Sequence, residues 1–372
     1  MVRGDRLQSV VHGAALALIV GWVLYVGKQV FVPMVFGVLV VYVIIGLARA
    51  LTALPLVGPR LPAPLRYALS IFGISVAIAA AVSLVVNNFG RVVQLVPTYQ
   101  DALLQRIQQL AEFLGLQAAP TWTALREDFL ARVQLQDLIG TTVVSVTGIG
   151  MTVLIVLLYV TFLLLEKRVL PAKLHAMSDD PADVARIHHV LDSINTRTGQ
   201  YLSLKTLINV LLGVVSWAMM APFGLEFAGF WAVLIAVLNY VPYIGSFLGV
   251  LFPVAWAIVQ FGDPGTVITL LLLLTTAQFL IGNFLDPYLM GNSLNLSPFV
   301  ILASLLTWGG LWGIPGAFLA VPITAVLAIV LSEFPGTRPI AVLMSRNGRL
   351  HGRLHGRLGG PPRARAPAGP PA

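Results

Sequence analysis

The stretch from Thr206 to Thr337 constrains the fold more than any other part of the chain, because it contains no lysine, arginine or histidine. Its acidic residues are few, namely Glu226, Asp263, Asp286 and Glu333. A soluble domain carries about 25% charged residues, whereas this chain of 372 residues carries 10% and is 58% hydrophobic. We therefore predict that most of the chain lies in a lipid bilayer.

The apolar runs predict an all-α polytopic membrane protein with about six full transmembrane helices plus two broken, re-entrant helical hairpins. The predicted full spans are Gly13–Gly27, Phe31–Ala48, Tyr67–Val86, Thr141–Leu165, Thr206–Ala221 and Thr266–Ile281. The predicted broken pairs are Phe227–Leu238 with Ile244–Gln260, and Phe299–Trp308 with Trp312–Leu331. A topology of ten short spans would also place the tail on the same side of the membrane as the N-terminus. We favour six spans plus two hairpins, because the broken pieces are short for full spans.

Polar stretches divide the chain into four predicted parts. These are N-terminal transmembrane helices over 1–88, an extramembrane helical pair over 89–140, a transmembrane transport core over 141–337 and a disordered basic tail over 338–372. A polar segment, 166–205, interrupts the core. Apolar residues at helical spacing between Leu103 and Leu114 support the helical pair. The tail repeats GRLH and lacks the apolar content needed to fold.

The basic residues predict the orientation in the membrane. In a six-span topology, the arginines flanking the first two spans, the basic residues between 167 and 205 and the arginine-rich tail all fall on one side. The positive-inside rule makes that side cytoplasmic. We therefore expect a multi-pass protein of the inner membrane with both termini in the cytoplasm. The N-terminal apolar run lacks a convincing cleavage site, so a retained anchor helix is expected rather than a signal peptide.

The composition also excludes several kinds of chemistry. Without cysteine, disulfides, thiol catalysis and cysteine-ligated metals are absent, and adjacent His188 and His189 would diverge by about 100° on a helix, so no metal site is expected. The sequence contains no Walker A, dinucleotide-binding or H-E-x-x-H motif. We expect no cofactor and no enzyme activity. The net charge of +8 lies largely in the tail and short loops, which fits membrane orientation better than a nucleic-acid partner.

The two broken hairpins predict a cavity. Irregular backbone at membrane depth is tolerated only where it is buried in protein or lines a wet cavity. Both hairpins contain a G-x-F-L-x-V core ahead of a proline, over Gly245–Pro253 and Gly316–Pro322. In the six-span topology the first hairpin enters from outside and the second from inside, which would make them an inverted pair. The residues predicted to break the helices are Pro242, Gly245, Pro287, Gly291, Gly309, Gly310 and Pro315.

Asp286 is the leading candidate for a residue on the permeation pathway. An aspartate at mid-membrane costs about 2.5–3.5 kcal/mol on insertion scales, so such residues usually face a cavity or a partner. The alternative is a short polar turn at the membrane surface. Asn239, Tyr240 and Asn283 would supply hydrogen bonds to a solute. Lys205 would be a counter-charge at the cytoplasmic mouth or, more simply, would extend to the interface.

Several motifs resemble the autoinducer-2 exporter family of bacterial membrane proteins. They are Tyr201–Thr206, Asn239–Ser246, Gly282–Gly291, Leu296–Pro298, Ser304–Gly313 and Leu319–Thr324. The resemblance is strongest from about Asn195 to Leu331, whereas the first 140 residues match in layout more than in motif. It implies export of a small polar signalling molecule, or in some members sodium or lithium exchange for protons. It also implies a homo-oligomer, a pentamer where known, and an acidic residue at the position of Asp286.

Three functions remain open at this point. The first is a gradient-driven exporter of a small polar solute, such as an autoinducer-2-like signalling molecule, with the lipid bilayer as its surroundings. The second is a monovalent cation/proton antiporter on the same scaffold. The third is a structural protein of the envelope, which would have no need of unwound backbone in the bilayer. The sequence names neither the solute nor the coupling ion, and it does not separate a carrier from a channel.

Overall fold

The computed structural model describes residues 2–52, 61–113, 135–176, 180–290 and 295–348, and within these ranges the regular structure is helical. The helices are α1 (Val2–Val26), α2 (Lys28–Thr52), α3 (Ala63–Phe113), α4 (Leu135–His175), α5 (Pro181–Met220), α6 (Ala228–Leu238), α7 (Ile244–Phe261), α8 (Pro264–Leu280), α9 (Asp286–Met290), α10 (Pro298–Trp312), α11 (Ile314–Glu333) and α12 (Arg338–Met344). A 3₁₀ turn, Ala221–Phe223, follows α5, and a π-helical turn, Ile281–Leu285, joins α8 to α9.

Six of the described helical segments are long and apolar enough to cross a membrane, so the prediction of an all-α polytopic membrane protein is confirmed. They are Lys28–Thr52, Ala63–Val92, Ile187–Phe223, Ile244–Phe261, Pro264–Met290 and Ile314–Glu333. This set differs from the six predicted spans. It includes α7 and α11, which we expected to be short, while the described apolar parts of α1 and α4 are shorter than a span.

The third predicted span continues into the predicted extramembrane pair without a break. α3 runs as one helix of 51 residues, longer than a bilayer crossing requires. The first helix of the predicted pair is therefore an extension of α3, and Pro97 does not end it. The second predicted helix, Trp122–Leu138, lies mostly outside the described residues.

The first hairpin consists of α6 and α7, joined by a turn at Asn239–Tyr243. Gln260 closes its open end, because its side chain accepts from the backbone N–H of Glu226 and donates to the carbonyl of Gly224, both at 2.8 Å. Its tip reaches back along α5 as far as Thr206. The stretch of α5 from Thr206 to Met220 is about 21 Å long, so the hairpin extends about that far alongside α5.

The second hairpin consists of α10 and α11, and its chain reverses at Gly313, which has a φ of 67°. The predicted break at Gly309 and Gly310 is wrong, because both glycines lie inside α10. The actual break is Gly313 followed by Pro315 in the first turn of α11. Glycine accommodates the positive φ, and proline in a first helical turn loses no hydrogen bond.

α5 lies between the two hairpins and ties them into one core. One buried cluster joins Ile208 and Leu212 of α5 to the first hairpin and α8. A second cluster joins Tyr201 and Leu202 of α5 to α2, α10 and α11. The hairpins also touch directly, since Val241 at the first tip is buried among Leu305 and other residues of the second hairpin. Large apolar side chains such as Leu18, Phe72 and Leu306 stay exposed, as expected for a surface that faces lipid.

The predicted disordered tail begins with ordered structure. Residues 338–344 form α12, whose Ala341 is 1% exposed. The backbone then forms an antiparallel bridge between Ser345 and Leu296, next to the start of α10. The prediction of disorder is therefore wrong for 338–348, where apolar residues in the RPIAVLM segment bury a face. The remainder of the tail, 349–372, lies outside the described residues.

Candidate functional site

The centre of the site is an ion pair between Lys205 and Asp286. The Lys205 Nζ donates to Asp286 Oδ2 at 2.9 Å, with side chains 9% and 21% exposed. Removing a charge from water costs several kcal/mol per ion, and a close partner offsets that cost. Lys205 is therefore the counter-charge of Asp286, and the interpretation that it extends to the membrane interface is wrong.

A π-helical turn places Asp286 against α5. Pro287 lacks a backbone N–H, so a regular helix would lose one hydrogen bond at this point. The preceding residues Ile281–Leu285 form the π turn, and the Asp286 N–H donates to the carbonyl of Ile281. Pro287 itself lies inside α9, so the predicted helix break at this residue is wrong. The helix is widened by the π turn just before Pro287 and continues through it. Such turns are frequent at functional sites. Gly291, another predicted break, lies outside the described residues.

The tip of the first hairpin is fixed to α5 by buried amides. Asn239 Nδ2 donates to Asn209 Oδ1 at 2.8 Å, and Ser246 Oγ donates to Asn239 Oδ1 at 3.2 Å. Tyr243 sits at a φ of 64°, which is unusual for a residue with a bulky side chain. A Cβ on Gly245 would lie 1.8 Å from the Leu238 carbonyl oxygen, so only glycine fits there. The predicted break at Asn239–Gly245 is thus present.

Tyr240 links the first tip to both α5 and the second hairpin. Its hydroxyl donates to Thr206 Oγ1 at 2.7 Å, and Thr206 in turn donates to the Leu202 carbonyl. Its ring lies 4.4 Å from that of Phe318, measured between centroids. Tyr240 therefore anchors the turn beside Lys205, and its hydroxyl is already engaged within the protein.

A cavity of about 820 Å³ lies between the first tip, α8 and the start of α10. The polar or charged residues that line it are Lys205, Asn239, Ser246, Thr275, Gln278, Asn283, Asp286, Asn295 and Arg346. The rest of the lining is largely apolar. Asn283 faces this space, with its amide donating to the Phe279 carbonyl at 3.0 Å. Such a mixture is typical of a site for a small solute, with a few polar groups fixing orientation.

Two buried polar atoms of residues in the cavity wall have no hydrogen-bond partner. Asp286 Oδ1 is an acceptor and Gln278 Nε2 is a donor, and both belong to residues that line the cavity. Buried polar groups are nearly always paired in native structures, so unpaired ones call for an explanation. A bound solute or water in the cavity would supply both partners.

The structure brings four of the five predicted site residues together around one cavity. Lys205, Asn239, Asn283 and Asp286 line the cavity, while Tyr240 lies behind the tip. Sequence reasoning missed Asn209, Gln278 and Arg346. Asn209 and Gln278 are isolated amides in apolar runs, a signal that was present in the sequence. Within the described ranges, no three His, Asp or Glu side chains are grouped closely enough to hold a metal ion.

Apolar helices that are interrupted by a turn and a π-helical turn beside a polar cavity are typical of membrane transport proteins with discontinuous helices. The family model of the AI-2E family transporter matches residues 14–336, so the chain belongs to that family. The chain is 32% identical over 291 residues to "AI-2 transport protein TqsA" of Escherichia coli strain K12, covering 77% of this chain and 82% of that protein. It is 31% identical over 276 residues to "Putative transport protein YhhT" of the same strain, covering 72% and 76%. The protein is therefore a membrane transport protein and not an enzyme.

Proposed function

We propose that the protein exports a small polar solute through the cavity beside Lys205 and Asp286, driven by a gradient. The observation that carries this proposal is the buried ion pair in which Asp286, a residue of the cavity lining, has a second carboxylate oxygen that is buried without a hydrogen-bond partner. An ion pair in apolar helices is weak evidence for stability alone, because well-packed apolar residues would often do as well. A solute-binding role explains why charged residues occupy these two positions.

The solute would bind through hydroxyl groups. A hydroxyl that donates to Asp286 Oδ1 satisfies the unpaired acceptor, and the Gln278 amide donates to a second oxygen. Asn239 and Asn283 add further hydrogen-bonding groups to the wall. The similarity to TqsA favours a signalling molecule like autoinducer-2 as the cargo. The antiporter alternative has less support, because the Asp286 carboxylate is already neutralised by Lys205.

The proposal includes the orientation and the assembly. Basic residues at one end of the spans favour an inner-membrane protein with both termini in the cytoplasm. Lys205 and Asp286 then lie toward the cytoplasmic ends of their helices, and the first hairpin enters from outside. Family resemblance favours a homo-oligomer, a pentamer, whose size in a mild detergent can be measured by mass photometry.

The test is efflux of autoinducer-2 from cells that carry Asp286→Asn, Lys205→Gln or both changes. A hydrogen bond to a charged group contributes about 1.5–3 kcal/mol, so Asp286→Asn should lower efflux roughly tenfold or more. Glu333→Gln removes an acid outside the cavity lining and serves as the matched control. Flux is normalised to the amount of folded protein in the membrane.

The variant that carries both changes distinguishes a solute-binding role of the ion pair from a purely structural role. If the ion pair only stabilises the fold, removing both charges together should restore efflux. If Asp286 binds the solute, the double variant stays as inactive as Asp286→Asn. Wild-type efflux with wild-type pH dependence in Asp286→Asn would remove Asp286 from the mechanism.

A further inference from the structure

The cavity wall includes one residue from the C-terminal segment, Arg346. Its backbone N–H donates to the Asn295 carbonyl at 3.0 Å, and the Ser297 N–H donates to the Met344 carbonyl at 2.9 Å. These bonds flank the bridge between Leu296 and Ser345. The chain after α12 is thus held against the segment that leads into α10. Arg346 is fixed by its backbone at the rim of the cavity, with an exposed side chain.

The charge of the cavity lining does not balance. Its acidic and basic side chains are Lys205, Asp286 and Arg346. Lys205 and Asp286 neutralise each other. The Arg346 guanidinium forms no ion pair with any residue in the described part of the chain. One positive charge is left over.

The other acidic residues between Thr206 and Thr337 do not offset the surplus positive charge of the cavity lining. Glu226 lies at the open end of the first hairpin, where its backbone N–H donates to Gln260 Oε1, and Asp263 caps the start of α8 just after the hairpin. Glu333 ends α11 outside the cavity lining. A cleft with surplus charge of one sign and apolar walls concentrates solutes of the opposite sign.

We propose that the cavity accepts a small solute with a negative charge as well as hydroxyl groups, such as a hydroxy acid, and that Arg346 sets this preference. The proposal rests on the proposed function, since it names the solute class of the same cavity. A guanidinium binds a carboxylate or another oxyanion through two parallel hydrogen bonds. The anionic group lies at the Arg346 rim, away from the Asp286 carboxylate, which would repel it. The hydroxyl end faces Asp286 and Gln278.

The absence of cysteine from the chain permits a test that does not require the solute. Gly282 lines the cavity one turn from Asp286, and a Cβ there would meet nothing within 4 Å. Gly282→Cys therefore places one thiol in the cavity without a clash. In the full-length protein in detergent, its rate of modification is measured with two methanethiosulfonate reagents, one carrying a sulfonate and one a trimethylammonium group. The rates are divided by those of a free thiol.

The expected result is a preference for the sulfonate reagent. Arg346→Gln lowers this preference about two- to fivefold, as for the loss of one charge in a partly screened site. Arg346→Lys retains the preference and Arg346→Glu reverses it. Arg338→Gln, an exposed arginine of α12 outside the cavity lining, leaves it unchanged.

The outcomes separate this proposal from the proposed function. Modification at equal normalised rates, or a preference that Arg346→Gln does not change, overturns the anion preference and leaves the transport cavity in place. No modification by either reagent shows that the cavity holds no water, which overturns both.

Discussion

The two hairpins share a construction and differ at their tips. In each, a glycine at the start of the second helix lies against a carbonyl of the first helix. A Cβ on Gly245 would be 1.8 Å from the Leu238 oxygen, and a Cβ on Gly316 would be 1.8 Å from the Trp308 oxygen. These glycines occupy the same place in the two G-x-F-L-x-V cores. The correspondence supports a repeated construction in the two hairpins, while the inverted arrangement stays a prediction.

The tips carry different chemistry. The first tip presents Asn239 and Tyr240 to polar residues of α5. The second tip is apolar, and its Trp312 Nε1 donates to the Leu24 carbonyl of α1 at 2.9 Å. The shared glycines therefore build the scaffold, whereas the proposed solute site includes only the tip that carries amides.

The largest effect is expected from the shared glycines. Gly245→Ala and Gly316→Ala each force a methyl group onto a backbone oxygen, which no side-chain movement relieves. Overpacking costs about 1–3 kcal/mol, occasionally more, and these two should exceed that range and prevent folding. Gly310→Ala, with nothing within 4 Å of the added Cβ, is the control. The readout is the yield of monodisperse protein. If either variant folds as well as Gly310→Ala, the shared construction is refuted.

A second pair of substitutions tests whether the two hairpin tips differ in function. Asn239→Ala leaves the buried Asn209 amide without its partner and should cost about 1–3 kcal/mol and most of the flux. Trp312→Phe removes the bond to Leu24 and should cost about 1 kcal/mol without changing the flux per folded protein. Thermal unfolding and efflux are measured on both. Equal loss of flux would mean that the tips are functionally equivalent.

A smaller effect is expected at Tyr240. Tyr240→Phe removes the hydrogen bond to Thr206 but keeps the ring contact with Phe318, so the loss of stability should be about 1 kcal/mol. Because this hydroxyl is used within the protein and not by the solute, the apparent affinity for solute should stay unchanged. A large rise in the half-saturating solute concentration would place Tyr240 in the binding site.

The smallest effect concerns the helix caps next to the hairpins. Asp263 caps α8, and hydrogen bonds from Thr266 hold the pKa of that exposed carboxyl below its ordinary value. Its contribution to stability is present above the unfolded pKa of about 3.9 and is lost as pH falls through the folded pKa. Ser297, which caps α10, does not titrate. Asp263→Asn should therefore be slightly less stable than wild type at pH 7, and the difference should shrink as the pH falls below the unfolded pKa, measured by thermal unfolding. A difference that does not shrink as the pH falls would contradict this.

Much of the fold was predictable from the sequence, because lipid restricts the backbone to helices with satisfied hydrogen bonds. The first hairpin turn was predictable from the prolines and glycines around Asn239. The second turn was placed at Gly309–Gly310 because two adjacent glycines look like a break, yet α-helical hydrogen bonds accommodate both and the positive φ falls at Gly313.

The pairing within the site was less predictable. Asp286 was identified as an isolated carboxylate, since no basic residue follows Lys205 in sequence until Arg338 at the start of α12. The pair depends on α5 and α8 packing side by side over a separation of 81 residues, which local patterns do not specify. Arg346 was missed for a similar reason, because its place at the rim follows from the backbone bridge to Leu296.

The most direct test of the central claim is to fill the cavity with a covalent plug. Ser246→Cys places a single thiol in the cavity wall beside Asn239, and Leu306→Cys places one on the 80% exposed outer face of the second hairpin. Both are modified with a benzyl methanethiosulfonate, and autoinducer-2 flux is measured in liposomes before and after. We predict that modification at residue 246 abolishes flux, that reduction restores it and that modification at residue 306 has no effect. Unchanged flux through the fully modified residue 246 variant would show that the solute takes another route.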